Sequence, residues 1–327
     1  MSLRPGLTVV VLTYNAADTI ESCLQGLVDQ VDQDFDVLIV DDDSEDDTAA
    51  LASQFRSRLR LTVIRNGSHC IPRGRNLGLD AARTAHVAFV DSDDSPTRTW
   101  TRVIREAFDA SPDAALLSGN RLPAFRTRVA QAIALNDDLI RRVAGSGVTQ
   151  FSAGNCAINR AVWPQARFDE SFRAAEDLEL VSRVRGQYRW VHLPGMLIHH
   201  YSRDTLSDYA RQMYAYGRMK HRFAFAFGSY RPVDYGPLGL FVVGAGAAAV
   251  THRWWAILLL LAFCLLESFV VVVLRRPSPV VAALTLPAWL VKNLAWSCGI
   301  VRGGLDLLGD RGLRSQLRVK RSAPTHG

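Results

Sequence analysis

The length, composition and charge of the chain exclude several classes of protein. It has 327 residues, 48% hydrophobic and 21% charged, so it can bury a sizeable core and is not disordered as a whole. The net charge of +6 does not indicate nucleic-acid binding, because no basic patch alternates with aromatic residues on a recognisable module. Five scattered cysteines without a C-x-x-C pair argue against a zinc site and a disulfide framework, and they fit a reducing compartment.

The first hundred residues predict a parallel sheet with helices between its strands. Short, β-branched apolar runs, which suit strands covered on both faces, occupy residues 7–13, 36–40, 59–64 and 86–90. Helical patterns begin near Asp18, Ser44 and Pro72; the first two have capping-box spacing to an acid three residues later, and Pro72 suits a first helical turn. This alternation predicts βαβ units with right-handed crossovers.

Acidic clusters follow two of these strands, at residues 41–47 and 91–94. Ligands of parallel sheets bind beyond the carboxyl ends of the strands, where both clusters fall. Either cluster alone can be a solvated turn, because Asp is a common turn residue. Asp91 and Asp93, however, would face one side of an extended turn and suit Mg²⁺ or Mn²⁺, which take carboxylates together with substrate phosphates. No glycine-rich phosphate motif is present, so a nucleotide would be held by carboxylates and a metal.

The last third of the chain is apolar and predicts two or three membrane-spanning helices. Residues 254–274 and 279–300 are each long enough to span a bilayer. Residues 237–250 are shorter and rich in small residues, which fits a tilted span, a packing helix or an interfacial segment. The alternative is that these are core helices of a soluble domain, but their length and purity count against it.

Charge gives an expectation for orientation. The tail after Arg302 is basic, which the positive-inside rule keeps cytoplasmic, and we expect no signal peptide before the catalytic residues. Two crossings are then simplest, although they would place Arg275 and Arg276 on the outer side of the membrane. Three crossings would place these arginines on the cytoplasmic side but would send the tail outside. The predicted organisation is a catalytic domain at 1–230, transmembrane helices at 231–304 and a basic tail at 305–327, in a multi-pass protein of the cell membrane with its catalytic domain facing the cytoplasm.

Several motifs together resemble glycosyltransferase family 2, whose fold is GT-A: an α/β, Rossmann-like nucleotide-diphospho-sugar transferase fold with a mostly parallel sheet. They cover about residues 9–220 in the expected order and read VVVLTYNAADTI, LIVDDDSEDDT, RGRNLGLDAARTAHVAFVDSDD, FSAGNCAINRAVW, FDESFRAAEDLELVSRV and HHYSRDTL. Where the family usually has a glycine, this chain has Asp43, a residue type that tolerates left-handed conformations.

The resemblance implies a donor site for a nucleotide sugar, with a UDP-sugar as the expected donor. Uracil or ribose would lie against residues 13–15, the base would donate to Asp42, the ribose would contact Asp91, and Asp93 would bind the metal. The whole implied donor set is Thr13, Tyr14, Asn15, Asp42, Arg75, Asp91, Ser92, Asp93, Gly154 and Asn155.

The acids in residues 174–184 are candidates for the catalytic base that glycosyl transfer to a hydroxyl needs. On pattern alone they could be a solvated helix start with a Glu179–Arg183 pair. The family's E-D-x-x-L-x-x-R pattern instead implies that Asp177 is the base and that Glu176 orients it or contacts the acceptor.

Two further features remain open at this point. His200 best matches the family histidine that meets the metal or diphosphate, with His199 as the alternative, since adjacent strand residues face opposite sides. The basic segment 209–225 suits either a helix on anionic headgroups or a cation that steadies the diphosphate.

The sequence therefore predicts an inverting, metal-dependent glycosyltransferase whose acceptor is a hydroxyl of a lipid-linked or cell-envelope glycan, beside the lipid bilayer. A polyprenyl-phosphate glycosyltransferase is the near alternative, but its acceptor is already ionised and hardly needs a base. A processive synthase would carry a Q-x-x-R-W motif and more spans. A non-catalytic membrane scaffold with the same fold would have lost Asp93 or Asp177, and both are present.

Overall fold

The computed structural model describes most of the chain as two compact units. It describes residues 4–143, 151–173, 176–184, 186–228, 230, 232–251 and 272–310. The first unit holds the described residues up to Pro123 and those from 151 to His200; the second holds those from Ala124 to 143 and from Tyr201 onward. Residues 201–228, predicted as part of the catalytic domain, thus pack in the second unit, and the predicted domain boundaries stay predictions. Most of the predicted span 254–274 and the tail beyond 310 lie outside the described residues.

One eight-stranded mixed sheet runs through the described part of the first unit, in the order β3-β2-β1-β4-β7-β6-β8-β5. The neighbouring pairs among β1 to β4 are parallel, whereas β7 pairs antiparallel with β4 and β6, and β5 pairs antiparallel with β8. The strands are β1 (Arg4–Thr13), β2 (Phe35–Asp41), β3 (Leu61–Arg65), β4 (Thr84–Asp91), β5 (Asp94–Pro96), β6 (Ala114–Ala124), β7 (Asn155–Asn159) and β8 (Arg189–Tyr201).

The helices begin close to the predicted positions, but their caps differ from the prediction. The helices are α1 (Ile20–Val28), α2 (Thr48–Ser53), α3 (Ile71–Ala81), α4 (Trp100–Ala110), α5 (Arg128–Val143), α6 (Glu176–Val184), α7 (Leu206–Phe227), α8 (Pro232–Thr251) and α9 (Pro279–Gly309). Pro72 lies in the first turn of α3 as predicted. Ser44 does not cap α2: its hydroxyl donates to Asp41 and accepts the Asn15 N–H, which ties two loops together instead. Helix α1 likewise lacks a side-chain cap bond.

Alternating strand residues bury the sheet on both faces. On β1, Val9 and Val11 face one apolar cluster with α1 and α4, while Val10 faces the other with Leu79 of α3 and Leu180 of α6. This two-sided burial is the reason the strands read as continuous apolar runs. It fixes the register, and so it fixes which residues emerge at the strand ends.

Helix α9 crosses α7 at very close range in the second unit. A Cβ on Gly217 would overlap the Trp296 carbonyl oxygen, and one on Gly299 would overlap the Tyr214 carbonyl oxygen. Small residues therefore let the two backbones touch, the packing typical of membrane helices. In α8, where sequence also allowed small-residue contacts, Gly239 and Gly246 have open space around them.

Among the described residues, α9 is the helix long and apolar enough to cross a membrane, by length and composition. The second unit also exposes many large aliphatic side chains. They include Val242, Val243, Val273, Leu274, Val280, Leu294, Val301, Leu305 and Leu308. Exposed apolar surface of this extent is typical of membrane contact. The C-terminal part of the chain is thus consistent with the predicted anchor.

Candidate active site

The candidate site lies where three parallel strands end. In the register of the sheet, Thr13 pairs with Asp41 and Leu12 pairs with Asp91, so β1, β2 and β4 finish level with one another. The hydroxyl of Thr13 is buried with no hydrogen-bond partner among the described residues. A buried hydroxyl without a partner calls for an explanation, and a ligand at this edge would give one.

The loops beyond β1 and β2 gather the residues predicted to hold the base and ribose. Tyr14 is 51% exposed, and its ring meets His69 edge-on at 5.2 Å. Asn15 adopts a left-handed conformation, with φ 44°. Asp42 accepts the backbone N–H groups of Ser68 and His69 at 3.0 and 2.8 Å through one oxygen, Oδ1. Asp42 therefore holds the opposite loop in place in addition to its predicted contact with the base.

Asp43 occupies the left-handed region that its position requires. Its φ is 58°, as expected for a place where the resembling family usually has glycine. Its carboxylate forms an ion pair with Arg65 and lies against Gly67, whose φ is also positive. Aspartate in place of the family's usual glycine therefore preserves the turn at this position.

Arg75 is a buried cation that joins the two halves of the site. It donates from Nη2 to Asp91 at 2.9 Å and from Nη1 to Glu176, and it is only 3% exposed. Burial alone would disfavour its charge, but the two carboxylates hold the pKa of Arg75 well above its usual value. Arg75, itself a predicted donor residue, thus links Asp91 at the end of β4 to Glu176 at the start of α6.

Arg121 of β6 is a second cation in this cluster and links two aspartates. Its Nη2 lies 3.2 Å from Asp91 and 3.1 Å from Asp94. Burial opposes the charge on Asp91, but Arg75 and Arg121 hold its pKa below the ordinary value. A Cβ on Gly154 would overlap both Asp91 and Arg121. The glycine is thus needed for the close contact between Asp91 and Arg121.

Three potential metal ligands converge beside Asp91. The ligand atoms of Asp93, Asp94 and His200 lie within 4.8 Å of one another. Asp94 pairs across the strands with His200, whereas His199 pairs with Ser95 and is exposed. The structure therefore brings His200, and not His199, to the carboxylates.

A hydrogen bond between His200 and Asp94 orients the histidine ring. Nδ1 of His200 donates to Asp94 Oδ1 at 2.6 Å, and Asp94 is 1% exposed. A carboxylate that orients a histidine in this way is typical of metal sites. Burial raises the pKa of Asp94, and Arg121 and His200 oppose that rise. The two carboxylates are ligands that suit Mg²⁺ or Mn²⁺.

The predicted base, Asp177, lies in the first turn of α6 and is half-buried. Its carboxylate accepts the N–H of Leu178 at 2.7 Å. Burial raises the pKa of Asp177, although Arg75 and Arg121 lie close enough to oppose the rise. Its neighbour Glu176 is 8% exposed, and burial raises its pKa to about 7 against the opposing charge of Arg75. The Glu179–Arg183 pair forms as the helix spacing predicts.

Asn155 is fully buried. Its amide donates to the carbonyls of Asn120 and Met196 and accepts from the Trp100 indole at 2.8 Å. These bonds tie β7 to β6, β8 and α4, and they fix Gly154 beside Asp91. Ser92 is partly exposed in the turn after β4.

Sequence reasoning missed Asp94 and Arg121 as members of the site. Asp94 was visible in the run DSDD, but the motif gave no sign that β5 would pair with β8 and turn it toward His200. Arg121 belongs to no motif, and only the antiparallel half of the sheet brings it to Asp91.

These features define the GT-A class of nucleotide-sugar transferase folds, which confirms the predicted fold class. The mannosyltransferase PcManGT of Pyrobaculum calidifontis, solved with GDP-Man and Mn²⁺, shares this fold. Its sequence is 19% identical to that of this chain. The match covers 94% of this chain and 88% of the mannosyltransferase chain, with a TM-score of 0.54.

The chain belongs to glycosyltransferase family 2. Residues 8–163 match the Glycosyl transferase family 2 model, and residues 86–296, more than half of the chain, match the Glycosyl transferase family group 2 model. The enzyme class predicted from the sequence, a glycosyltransferase, is confirmed.

Two curated relatives are similar over part of their length. The succinoglycan biosynthesis protein ExoO of Rhizobium meliloti is 32% identical over 196 residues, 54% of this chain and 55% of that protein. The uncharacterized glycosyltransferase EpsJ of Bacillus subtilis is 32% identical over 91 residues, 28% of this chain and 26% of that protein. The chain thus spans from about a quarter to just over half the length of these relatives.

Proposed function

We propose that the protein is an inverting, metal-dependent glycosyltransferase that moves a sugar from a nucleoside-diphosphate donor to a hydroxyl group of an acceptor. The observation that carries the proposal is the convergence of Asp93, Asp94 and His200 at the carboxyl edge of the sheet. Arg121 links Asp94 to Asp91, and Arg75 links Asp91 to Glu176, the neighbour of Asp177 on α6. These ion pairs support a donor site and a base that belong to one cluster. The proposed donor is a UDP-sugar, from the likeness of residues 13–15 and 42 to the family pattern.

The donor would be held by carboxylates and loop residues. Asp93 and His200 would hold a divalent cation, with Asp94 orienting the histidine, and that cation would supply charge stabilisation for the departing diphosphate. Asp91, kept ionised by Arg75 and Arg121, would accept from the ribose. Tyr14 offers an exposed aromatic face for the base, and Asp42 retains one carboxylate oxygen beyond the one that binds the loop.

Asp177 would accept the proton of the attacking hydroxyl group. Its pKa is raised by burial, and a base whose pKa lies nearer to the working pH transfers protons more effectively. Glu176 would keep Arg75 in place beneath it. This arrangement favours a hydroxyl acceptor over a lipid phosphate, because a phosphate is already ionised and needs no base.

The acceptor proposed for this enzyme is a lipid-linked or cell-envelope glycan. Support comes from the apolar helix α9, the exposed aliphatic side chains of the second unit and the similarity to ExoO, a succinoglycan biosynthesis protein. Anchoring raises the effective concentration of a membrane-bound acceptor near the enzyme. From the apolar segments and the basic tail of the sequence, we propose that the protein is a multi-pass protein of the cell membrane with its catalytic residues on the cytoplasmic side.

Calorimetry of the detergent-purified full chain with UDP, in Mn²⁺ and in EDTA, tests the donor site. We expect micromolar binding that needs the metal and that Asp93→Ala weakens at least tenfold. Binding of GDP or dTDP in place of UDP would support the nucleotide site but would mean that the donor carries that other nucleotide. Absence of nucleotide binding would overturn the proposal in favour of a non-catalytic membrane scaffold.

Transfer assays with Asp177→Asn test the base. The variant is nearly isosteric, so nucleotide binding should equal that of the wild type while the transfer rate falls about 10²–10⁴-fold. Transfer at the wild-type rate would show that Asp177 is not the base.

A further inference from the structure

The second unit contains an arginine-lined cavity that the proposed chemistry does not use. It has a volume of about 390 Å³ and lies between α7 and the carboxyl end of α9. Among the described residues, its polar lining consists of Arg218, Arg222, Arg302, Asp306 and Asp310.

The arginines outnumber the acids that face them. Asp306 accepts from Arg218 Nε at 2.5 Å and from Arg222 Nη2 at 2.7 Å, and Arg302 Nε lies 3.2 Å away on the same helix. Three cations around one carboxylate leave a net charge of +2, and Asp310 on the rim reduces it to +1. A single further negative charge would balance the cavity.

The guanidinium groups also have donors to spare. Each carries five N–H groups, far more than the one carboxylate of Asp306 can accept. Nε of Arg222 is buried and has no hydrogen-bond partner among the described residues. Buried donors are nearly always paired, so this atom marks a place where an acceptor is missing. Arg302 is 56% exposed at its side chain and can turn toward a bound group.

One face of α9 next to the cavity carries exposed apolar side chains. Val301, Leu305 and Leu308 are exposed by 47%, 55% and 71%, and they lie on one face of α9 at helical spacing. Leu305 also lines the cavity. A ligand that suits both features has an anionic head and a hydrocarbon tail.

We infer that Arg218, Arg222 and Arg302 form a binding site for the phosphate group of an anionic lipid. Oxygens of the phosphate would accept from the spare N–H groups, for which the planar, forked guanidinium is well matched. The acyl chains would lie along Val301, Leu305 and Leu308. The inference concerns membrane binding and does not depend on the donor, the base or the metal.

The test is a thermal-stability titration of the detergent-purified full chain. The probes are short-chain phosphatidylglycerol, phosphatidylcholine of the same chain length, and inorganic phosphate. The test variant is Arg302→Gln, which leaves the buried Arg218 and Arg222 bonds intact. The matched control is Arg211→Gln, since Arg211 is an exposed arginine of α7 in an i,i+3 pair outside the cavity.

We expect phosphatidylglycerol to raise the melting temperature, with saturation, and phosphatidylcholine to have little effect. Arg302→Gln should raise the half-saturating lipid concentration about tenfold, because it removes a charge-assisted hydrogen bond. Arg211→Gln should leave that concentration unchanged. If both substitutions changed the half-saturating concentration equally, the lipid would be held by the general positive charge of the surface, and the proposed site would be overturned. An equal response to inorganic phosphate would overturn its assignment to a lipid, and no response to phosphatidylglycerol would overturn both.

Discussion

Arg75 is the residue on which the electrostatics of the candidate site depend. It is buried, and it holds Asp91 on the donor side and Glu176 on the base side through separate nitrogens. Removal of this cation would leave buried Glu176 without its arginine partner and Asp91 with Arg121 alone, and breaking a buried ion pair costs roughly 3–5 kcal/mol. The same residue therefore contacts Asp91 of the candidate site and opposes the rise in the pKa of Glu176.

Glu176 gives the enzyme a predicted pH dependence. Burial raises its pKa to about 7, so it is ionised above that pH and protonated below it. Since only the ionised form pairs with Arg75, the transfer rate should fall as the pH is lowered from 8 to 6. The measurement is kcat against pH with saturating donor and acceptor.

Glu176→Gln is the control for this dependence. The amide stands for the protonated acid at every pH, so the variant should be slower at pH 8 and nearly flat between pH 8 and 6. If the variant showed the same fall as the wild type, the titrating group would be another residue.

At the scale of the elements, local patterns determine the parallel half of the sheet. Runs such as 36–40 and 86–90 are buried on both faces, and their boundaries appear in the sequence because the apolar run itself is the strand. The antiparallel half depends on long-range pairing. Strand β5 is three residues long and has no period to detect, yet its pairing with β8 turns Asp94 toward His200.

In the candidate site, too, the residues that belong to local patterns were predictable, and those brought in by long-range pairing were not. Asp91, Asp93 and Asp177 follow or start elements whose ends are visible in the sequence, and the family motifs mark them. Arg121 reaches Asp91 from β6 only because Gly154 leaves room for it. A contact between elements 30 residues or more apart leaves no local pattern from which it could be predicted.

The crossing of α7 and α9 depends on glycine and predicts a large effect of one methyl group. Gly299→Ala places a Cβ against the Tyr214 carbonyl, a backbone atom that cannot move aside. We expect a loss of about 1–3 kcal/mol in the free energy of unfolding. The measurement is thermal or denaturant unfolding of the full chain in detergent.

Gly304→Ala on the same helix is the matched control. The nearest atom to its added Cβ is His221 Nε2 at 3.6 Å, an ordinary contact. This variant should be neutral or, through helix propensity, stabilised by up to about 1 kcal/mol. Equal losses in the two variants would show that the effect is not specific to the close crossing.

At the scale of the whole molecule, the two units differ in the kind of surface they expose. The first unit buries its aliphatic residues in two layers around the sheet, and its exposed large aliphatic side chains in the described ranges are the isolated Val31 and Ile71. The second unit exposes valines and leucines along α8 and α9. This difference fits a catalytic unit in water and a second unit in contact with lipid.

Extraction of membranes at alkaline pH checks that division. Alkaline carbonate releases proteins held at the surface by charge but leaves inserted helices in the bilayer. Since α9 exposes apolar side chains from Val280 to Leu308, a stretch of about 42 Å at 1.5 Å per residue, we expect the full chain to stay in the pellet. Release of the protein into the supernatant would contradict insertion. It would leave the exposed leucines as an interfacial surface that lies on the membrane without crossing it.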